Sequence, residues 1–145
     1  MTDRRVTQKV VCYVVRGDEL LVFQHLDEPW DESGLQVPAG SIEPGETPEE
    51  AALREAREET GLHSLGLVRK LGETDYDLSP YRDEVQHRHF FRLSVHEETP
   101  PRWVSHENDP DDGTGVIRFE CYWIPLTRGH VLSGGQGALL GRLRR

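Results

Sequence analysis

Gly40-Ser-Ile-Glu-Pro-Gly-Glu46-Thr-Pro-Glu-Glu50-Ala-Ala-Leu-Arg54-Glu55-Ala56-Arg-Glu58-Glu59-Thr-Gly61-Leu62 is the stretch from which the fold can be read. Thr47 followed three residues later by Glu50 forms a capping box, Pro48 stands at the first helical position, and Gly61 falls where a left-handed C-terminal cap belongs. These signals predict a helix from about Pro48 to Thr60. At 100° per residue, Glu55, Glu58 and Glu59 project from one face, and Ala52, Leu53 and Ala56 form the neighbouring apolar stripe. The carboxylates therefore belong at the edge of a core.

Charge is concentrated in this region. Between Glu43 and Thr60 seven Glu stand against Arg54 and Arg57, a local balance of −5 in a chain whose net charge is −9. Like charges four apart oppose the helix. A hard divalent cation, which prefers oxygen ligands and bridges to phosphates, would relieve that repulsion. The alternative is a solvated surface, because Glu50, Arg54 and Glu58 also form an i,i+4 ladder of alternating sign. Before the helix, Gly34, Pro38, Gly40, Pro44 and Gly45 restrict the connection, and the Gly40 carbonyl could supply a further oxygen.

Outward from the helix, Val6 to Arg16 and Leu20 to His25 are apolar runs separated by Gly17-Asp18, which predicts a β-hairpin. Leu26 to Gly34 reads as a loop and Leu35-Gln36-Val37 as a short strand ending at Pro38. Leu65 to Thr74, Gln86 to His96 and Ile117 to Pro125 are further strands. Glu97 to Gly115, with Pro100-Pro101, Pro110 and several Asp, reads as a long loop, and Gly137 to Arg145 as a short terminal helix. Strands around one well-capped helix with a second at the end predict an α/β arrangement, a mixed sheet between helices.

The 145 residues suit one domain. With 26 Asp+Glu against 17 Lys+Arg, unaided adhesion to a nucleic-acid polymer or an anionic membrane is not expected. Cys12 and Cys121 lie within apolar runs and read as buried hydrophobes of a reducing compartment. With no apolar leader or membrane-length run, the cytoplasm is the expected location. His87 and His89 share a strand face with Phe91, but no HxxxH or His/Cys pattern suggests zinc.

The run from Gly40 to Leu62 resembles the Nudix box, GX5EX7REUXEEXGU, at every fixed position; the small Ala56 at the first apolar position is a soft departure. The resemblance continues through Trp123-Ile-Pro-Leu126, which is similar to the family's late Trp-x-Pro-Leu, and more loosely through Leu35-Gln-Val-Pro-Ala39-Gly40. It implies one Nudix domain over roughly residues 5–142, with short tails at 1–4 and 143–145, and an α/β/α sandwich around a mixed sheet.

The resemblance further implies Mg²⁺-dependent hydrolysis of a diphosphate linkage in a nucleoside diphosphate joined to another group, with Mn²⁺ able to substitute. The alternative is a binding or sensor domain that has lost turnover. The implied metal ligands are Gly40 through its carbonyl, Glu55, Glu58 and Glu59, with Glu120 as an additional one. Arg54 is expected to orient a box Glu, and Glu46 to be structural or to act through water. Glu58 is the favoured general base; Glu107, like Asp109, Asp111 and Asp112, is expected on a solvated loop. Trp30, Tyr81 and Arg88 are the candidate substrate contacts, ahead of Arg5 and Arg92. The expected partner is a small nucleotide-type molecule, and a homodimer is compatible with the frequency of dimers among small soluble enzymes. Pro80 and Tyr81 lie near the family's substrate-marker spacings in neither register.

Overall fold

The computed structural model describes residues 4–27, 34–109 and 115–144. Seven strands, β1 (Arg5–Arg16), β2 (Glu19–His25), β3 (Ala39–Ser41), β4 (Leu65–Asp77), β5 (Glu84–Val95), β6 (Arg102–Asp109) and β7 (Gly115–Pro125), form a mixed sheet, with α1 (Pro48–Thr60) on one face. The order is β4-β5-β1-β2-β7-β6, with β3 paired to β1; β1 and β5 run parallel and the remaining pairs antiparallel.

The predicted hairpin forms, but its arms separate almost at once. β1 and β2 are in register only at Val15↔Leu20 and Arg16↔Glu19. Beyond the turn, the chain from Leu35 to Ser41 enters the gap: Cys12 donates its N–H to the Pro38 carbonyl at 2.8 Å, Phe23 donates to the Gln36 carbonyl at 2.8 Å, and β3 pairs with β1. The expected strand at residues 35–37 is thus a pair of isolated bridges, Phe23↔Gln36 and Leu35↔Leu132. This insertion carries Gly40 to the helix.

Local chemistry fixes α1. The Thr47 hydroxyl accepts from the Glu50 N–H at 3.1 Å, the Glu50 carboxylate accepts from the Thr47 N–H at 3.0 Å, and Gly61 closes the last turn at φ 74°. Ala51, Ala52 and Ala56 are fully buried, letting the helix approach Val10, Cys12, Phe91 and Cys121 on the sheet. The small Ala56 is therefore what close packing requires.

The opposite face buries Val11, Tyr13, Leu71, Phe90, Leu139 and Leu143. Its cover differs from the predicted terminal helix: two 3₁₀ helices, Leu126–Val131 and Leu140–Arg144, take that place. Cys12 and Cys121 are buried free thiols. No helix among the described residues is long and apolar enough to cross a membrane.

Glu97 to Gly115, expected as a long loop, contains the strand β6. Period-2 alternation points Trp103, Ser105 and Glu107 to one side. The Trp103 indole N–H donates to the Thr60 carbonyl at 2.8 Å, and the Ser105 hydroxyl donates to the Glu59 carbonyl, so the strand is fastened to the last turn of α1.

Candidate metal and catalytic site

Fastening β6 to the helix end places Glu107, two residues past Ser105, beside the carboxylates of α1. Glu55, Glu58 and Glu107 each offer an oxygen, and the three oxygens lie within 4.8 Å of one another. Glu55 is buried, and burial pushes its carboxyl up to about 7, with Glu58 and Glu107 adding to the rise and Arg54 opposing it. Glu59 is buried deeper, and burial raises its carboxyl well above the ordinary range, assisted by Glu55. Its Oε1 accepts from the Ala39 N–H at 2.8 Å.

Gly40 lies opposite Val10 in the β1–β3 ladder, against the Glu55 carboxylate. A Cβ there would stand 2.1 Å from the Glu55 carboxyl carbon, so any side chain at this position displaces the Glu55 carboxylate.

Arg54 spans the preceding loop and the helix. Its Nε and Nη2 donate to Glu46 at 2.7 and 2.9 Å, Nη1 donates to Glu55 at 2.9 Å and to Glu58 at 3.3 Å, and Nη2 also donates to the Ser41 carbonyl at 2.8 Å. The fork holds the Glu46 carboxyl down at about 2. Arg54 is thus a clamp joining the loop to two helix carboxylates, and Glu46 is its fixed anchor.

Three convergent carboxylates, one of them pushed to near neutrality by burial, form an all-oxygen donor set that fits a hard divalent cation. An arginine already shared among four Glu, the fourth being Glu43 at 3.8 Å, does not cancel the charge.

Three sequence candidates, Glu120, Tyr81 and Arg88, lie apart from this cluster. Glu120 occupies β7 between Phe119 and Cys121, both of which face α1, so alternation turns Glu120 to the opposite face, where it pairs with Arg102. Tyr81 is 90 % exposed at the β4–β5 turn. Trp30 lies outside the described residues, as do Asp111 and Asp112.

Arg88 is buried on the face away from α1, where it lines a cleft of about 230 Å³ with Lys9, Ala39, Gly40, Gln86 and Gln136. Its guanidinium stacks 4.0 Å over Tyr76 and donates to Gln86 Oε1 at 2.9 and 3.1 Å and to the Gly134 carbonyl at 2.6 Å. Ala39 and Gly40 therefore touch both sides: their outer surface lines the cleft, and they contact Glu59 and Glu55 behind it.

Among known proteins, RNA pyrophosphohydrolase of Brucella ovis (strain ATCC 25840 / 63/290 / NCTC 10512) is 32% identical over 119 residues, covering 78% of this chain and 62% of the relative. The chain thus spans about three-fifths of the length of that curated relative. RNA pyrophosphohydrolase of Brucella anthropi is 47% identical over a shorter stretch of 69 residues, 47% of this chain and 35% of the relative. Among solved structures, a MutT NUDIX hydrolase from Burkholderia pseudomallei superposes with a TM-score of 0.68 at 20% identity over 96% of this chain and 98% of that one. A UDP-X diphosphatase does so with the same TM-score of 0.68, at 15% identity over 99% and 64%. The NUDIX domain model matches residues 6–135, and with the complete box on a capped helix over a mixed sheet, the chain belongs to the Nudix family.

Proposed function

We propose that this chain is a metal-dependent pyrophosphohydrolase that cleaves a diphosphate linkage in a nucleotide, with Mg²⁺ as its metal and Mn²⁺ able to substitute. The observation that carries the reading is the convergence of Glu55, Glu58 and Glu107 into one oxygen donor set. A bound divalent cation would supply the positive charge that lets a polyphosphate enter an acidic site and would acidify a nearby water.

The remaining work belongs to the protein. Glu55 and Glu58 would hold the cation from α1 and Glu107 from β6. Arg54 fixes Glu55 and Glu58 against the Glu46 anchor, so the donor set is organised before substrate arrives. Glu58 is the general base in this reading, because its side chain is 43% exposed and can reach a water beside the cluster, whereas Glu55 and Glu59 are buried. Glu59 braces Ala39, keeping the wall between the carboxylates and the cleft in place. Lys9 and Arg88 make the cleft cationic, which suits the phosphates or sugar of a nucleotide. The buried free thiols suit a reducing compartment, and the cytoplasm is the proposed location.

A second reading follows from the Brucella relatives, which are RNA pyrophosphohydrolases by name. Net acidity disfavours grip on a long polymer, so an RNA substrate would present its phosphorylated end. The test is a phosphate- and pyrophosphate-release screen over nucleoside triphosphates, nucleotide sugars, dinucleoside polyphosphates and a triphosphate-ended RNA oligonucleotide, with Mg²⁺, with Mn²⁺ and with chelator. Metal-dependent turnover of any of these supports the activity and identifies its substrate. Nucleotide binding with no turnover of any of them would leave the binding-domain alternative standing.

A further inference from the structure

We propose a second metal site, built from Glu73, His87 and His89 and suited to a transition-metal ion of the Zn²⁺ type. It shares no residue with the carboxylate cluster of α1. The linear sequence carries no zinc pattern because the ligands converge across strands.

Register assembles the group. His89 lies opposite Glu73 and His87 opposite Asp75 in the β4–β5 ladder. A register shift between Lys70 and Gly72 adds one residue to β4, so Lys70, opposite Phe91, and Glu73, opposite His89, share a face although three apart. Glu73, His87 and His89 each offer one ligand atom, and the three atoms lie within 4.8 Å of one another. His87 Nε2 is 2.6 Å and His89 Nδ1 3.8 Å from Glu73 Oε1. Ligands about 2.0–2.2 Å from a tetrahedral ion stand roughly 3.4 Å apart, inside that range.

Each imidazole is also held from behind. His87 donates Nδ1–H to Asp75 at 2.7 Å, the carboxylate–histidine arrangement that orients metal ligands. His89 Nε2 lies 3.0 Å from Gln8 Oε1, an acceptor, which places the His89 proton on Nε2 and leaves the Nδ1 lone pair facing inward. His89 is buried and His87 half-buried, so neither is a freely rotating surface imidazole.

Lys70 marks the position where a cation belongs. Its ammonium lies 2.7 Å from Glu73 Oε2 and 3.1 Å from His89 Nδ1. An incoming divalent ion takes over these contacts while the flexible, partly exposed Lys70 chain swings to solvent and the proton between His87 and Glu73 leaves to water. Two imidazoles and one carboxylate select a borderline ion over Mg²⁺, which the all-oxygen cluster prefers.

The experiment is Zn²⁺ titration by calorimetry and by competition with a chromophoric chelator, in saturating Mg²⁺ and again in a Glu55→Gln/Glu58→Gln background that disables the first cluster. Co²⁺ absorption in the visible reports nitrogen ligation. Expected is one equivalent of Zn²⁺ under both conditions, weakened roughly 10-fold or more by His87→Ala or Glu73→Gln, with circular dichroism confirming the fold. Failure to bind Zn²⁺ in saturating Mg²⁺, or equal affinity after His87→Ala, overturns the site without bearing on the hydrolase reading.

Discussion

Burial of Glu55 without metal has a thermodynamic signature in the stability of the protein. The folded state holds its carboxyl at about 7 against an ordinary 4.5, so between those pH values the folded protein keeps a proton the unfolded chain has released. Stability contributed by this group is therefore full below pH 4.5 and is lost as pH rises through 7. At about 1.4 kcal/mol per pH unit the loss amounts to about 3 kcal/mol. Glu55→Gln keeps the oxygen that accepts from Arg54 and removes the titration. In chelator, the stability of the variant minus that of the parent is expected to grow by about 3 kcal/mol from pH 4.5 to 8, or roughly 6–12 °C in melting temperature for a domain of this size. Urea and thermal melts of both proteins over that range measure it. Mg²⁺ at pH 8 should raise the parent's midpoint and leave the variant's nearly unchanged, since the ion binds the ionised folded cluster. A parent-to-variant difference that stays constant with pH would refute the account of Glu55 as a buried carboxylate awaiting a cation.

Three further outcomes follow from the same geometry. Glu107→Gln should weaken Mg²⁺ binding by at least about 10-fold, by analogy with lost metal-site partners, and depress turnover with the melting temperature preserved; wild-type affinity by calorimetry would remove Glu107 from the donor set. Gly40→Ala inserts a methyl 2.1 Å from the Glu55 carboxyl carbon. It should push the Glu55 carboxylate aside and weaken metal binding, at a stability cost of at most about 1–3 kcal/mol, read by melting and titration of one preparation; unchanged metal affinity would contradict the close approach. Arg54→Met breaks the clamp between Glu46 and the helix and should lower stability by about 1–3 kcal/mol, with the loss growing at low ionic strength as the carboxylates repel, measured by urea melts at two salt concentrations.

The parts of this architecture written in local chemistry were legible from the chain. Thr47, Glu50, Pro48 and Gly61 specify both ends of α1, and the observed helix occupies Pro48–Thr60. The hairpin turn and the strands at β4, β5 and β7 follow from their apolar runs. What escaped was determined by distant partners. Pro100-Pro101 and the acidic residues concealed the alternation of Trp103, Ser105 and Glu107, whose meaning lies in hydrogen bonds to the end of α1. Glu107 was therefore expected on a solvated loop although it stands beside Glu55 and Glu58. Strand parity could have separated Glu120 from the cluster, since Phe119 and Cys121 are its apolar neighbours. The grouping of Glu73 with two histidines depends on cross-strand register and one extra residue, neither visible along a single segment.

Among the described residues, β6 closes its end of the sheet order and pairs with β7 alone. One long edge of this strand consequently has no sheet neighbour among the described residues, and amide protons there should exchange through local fraying, well below the free energy of global unfolding. An excursion that broke the Trp103 and Ser105 bonds to α1 would withdraw Glu107 from the helix while the packed interior stays intact. The fraction of molecules competent for chemistry would then be governed by the margin of the sheet, so a change that tightens this border could raise activity without touching any group at the reacting centre.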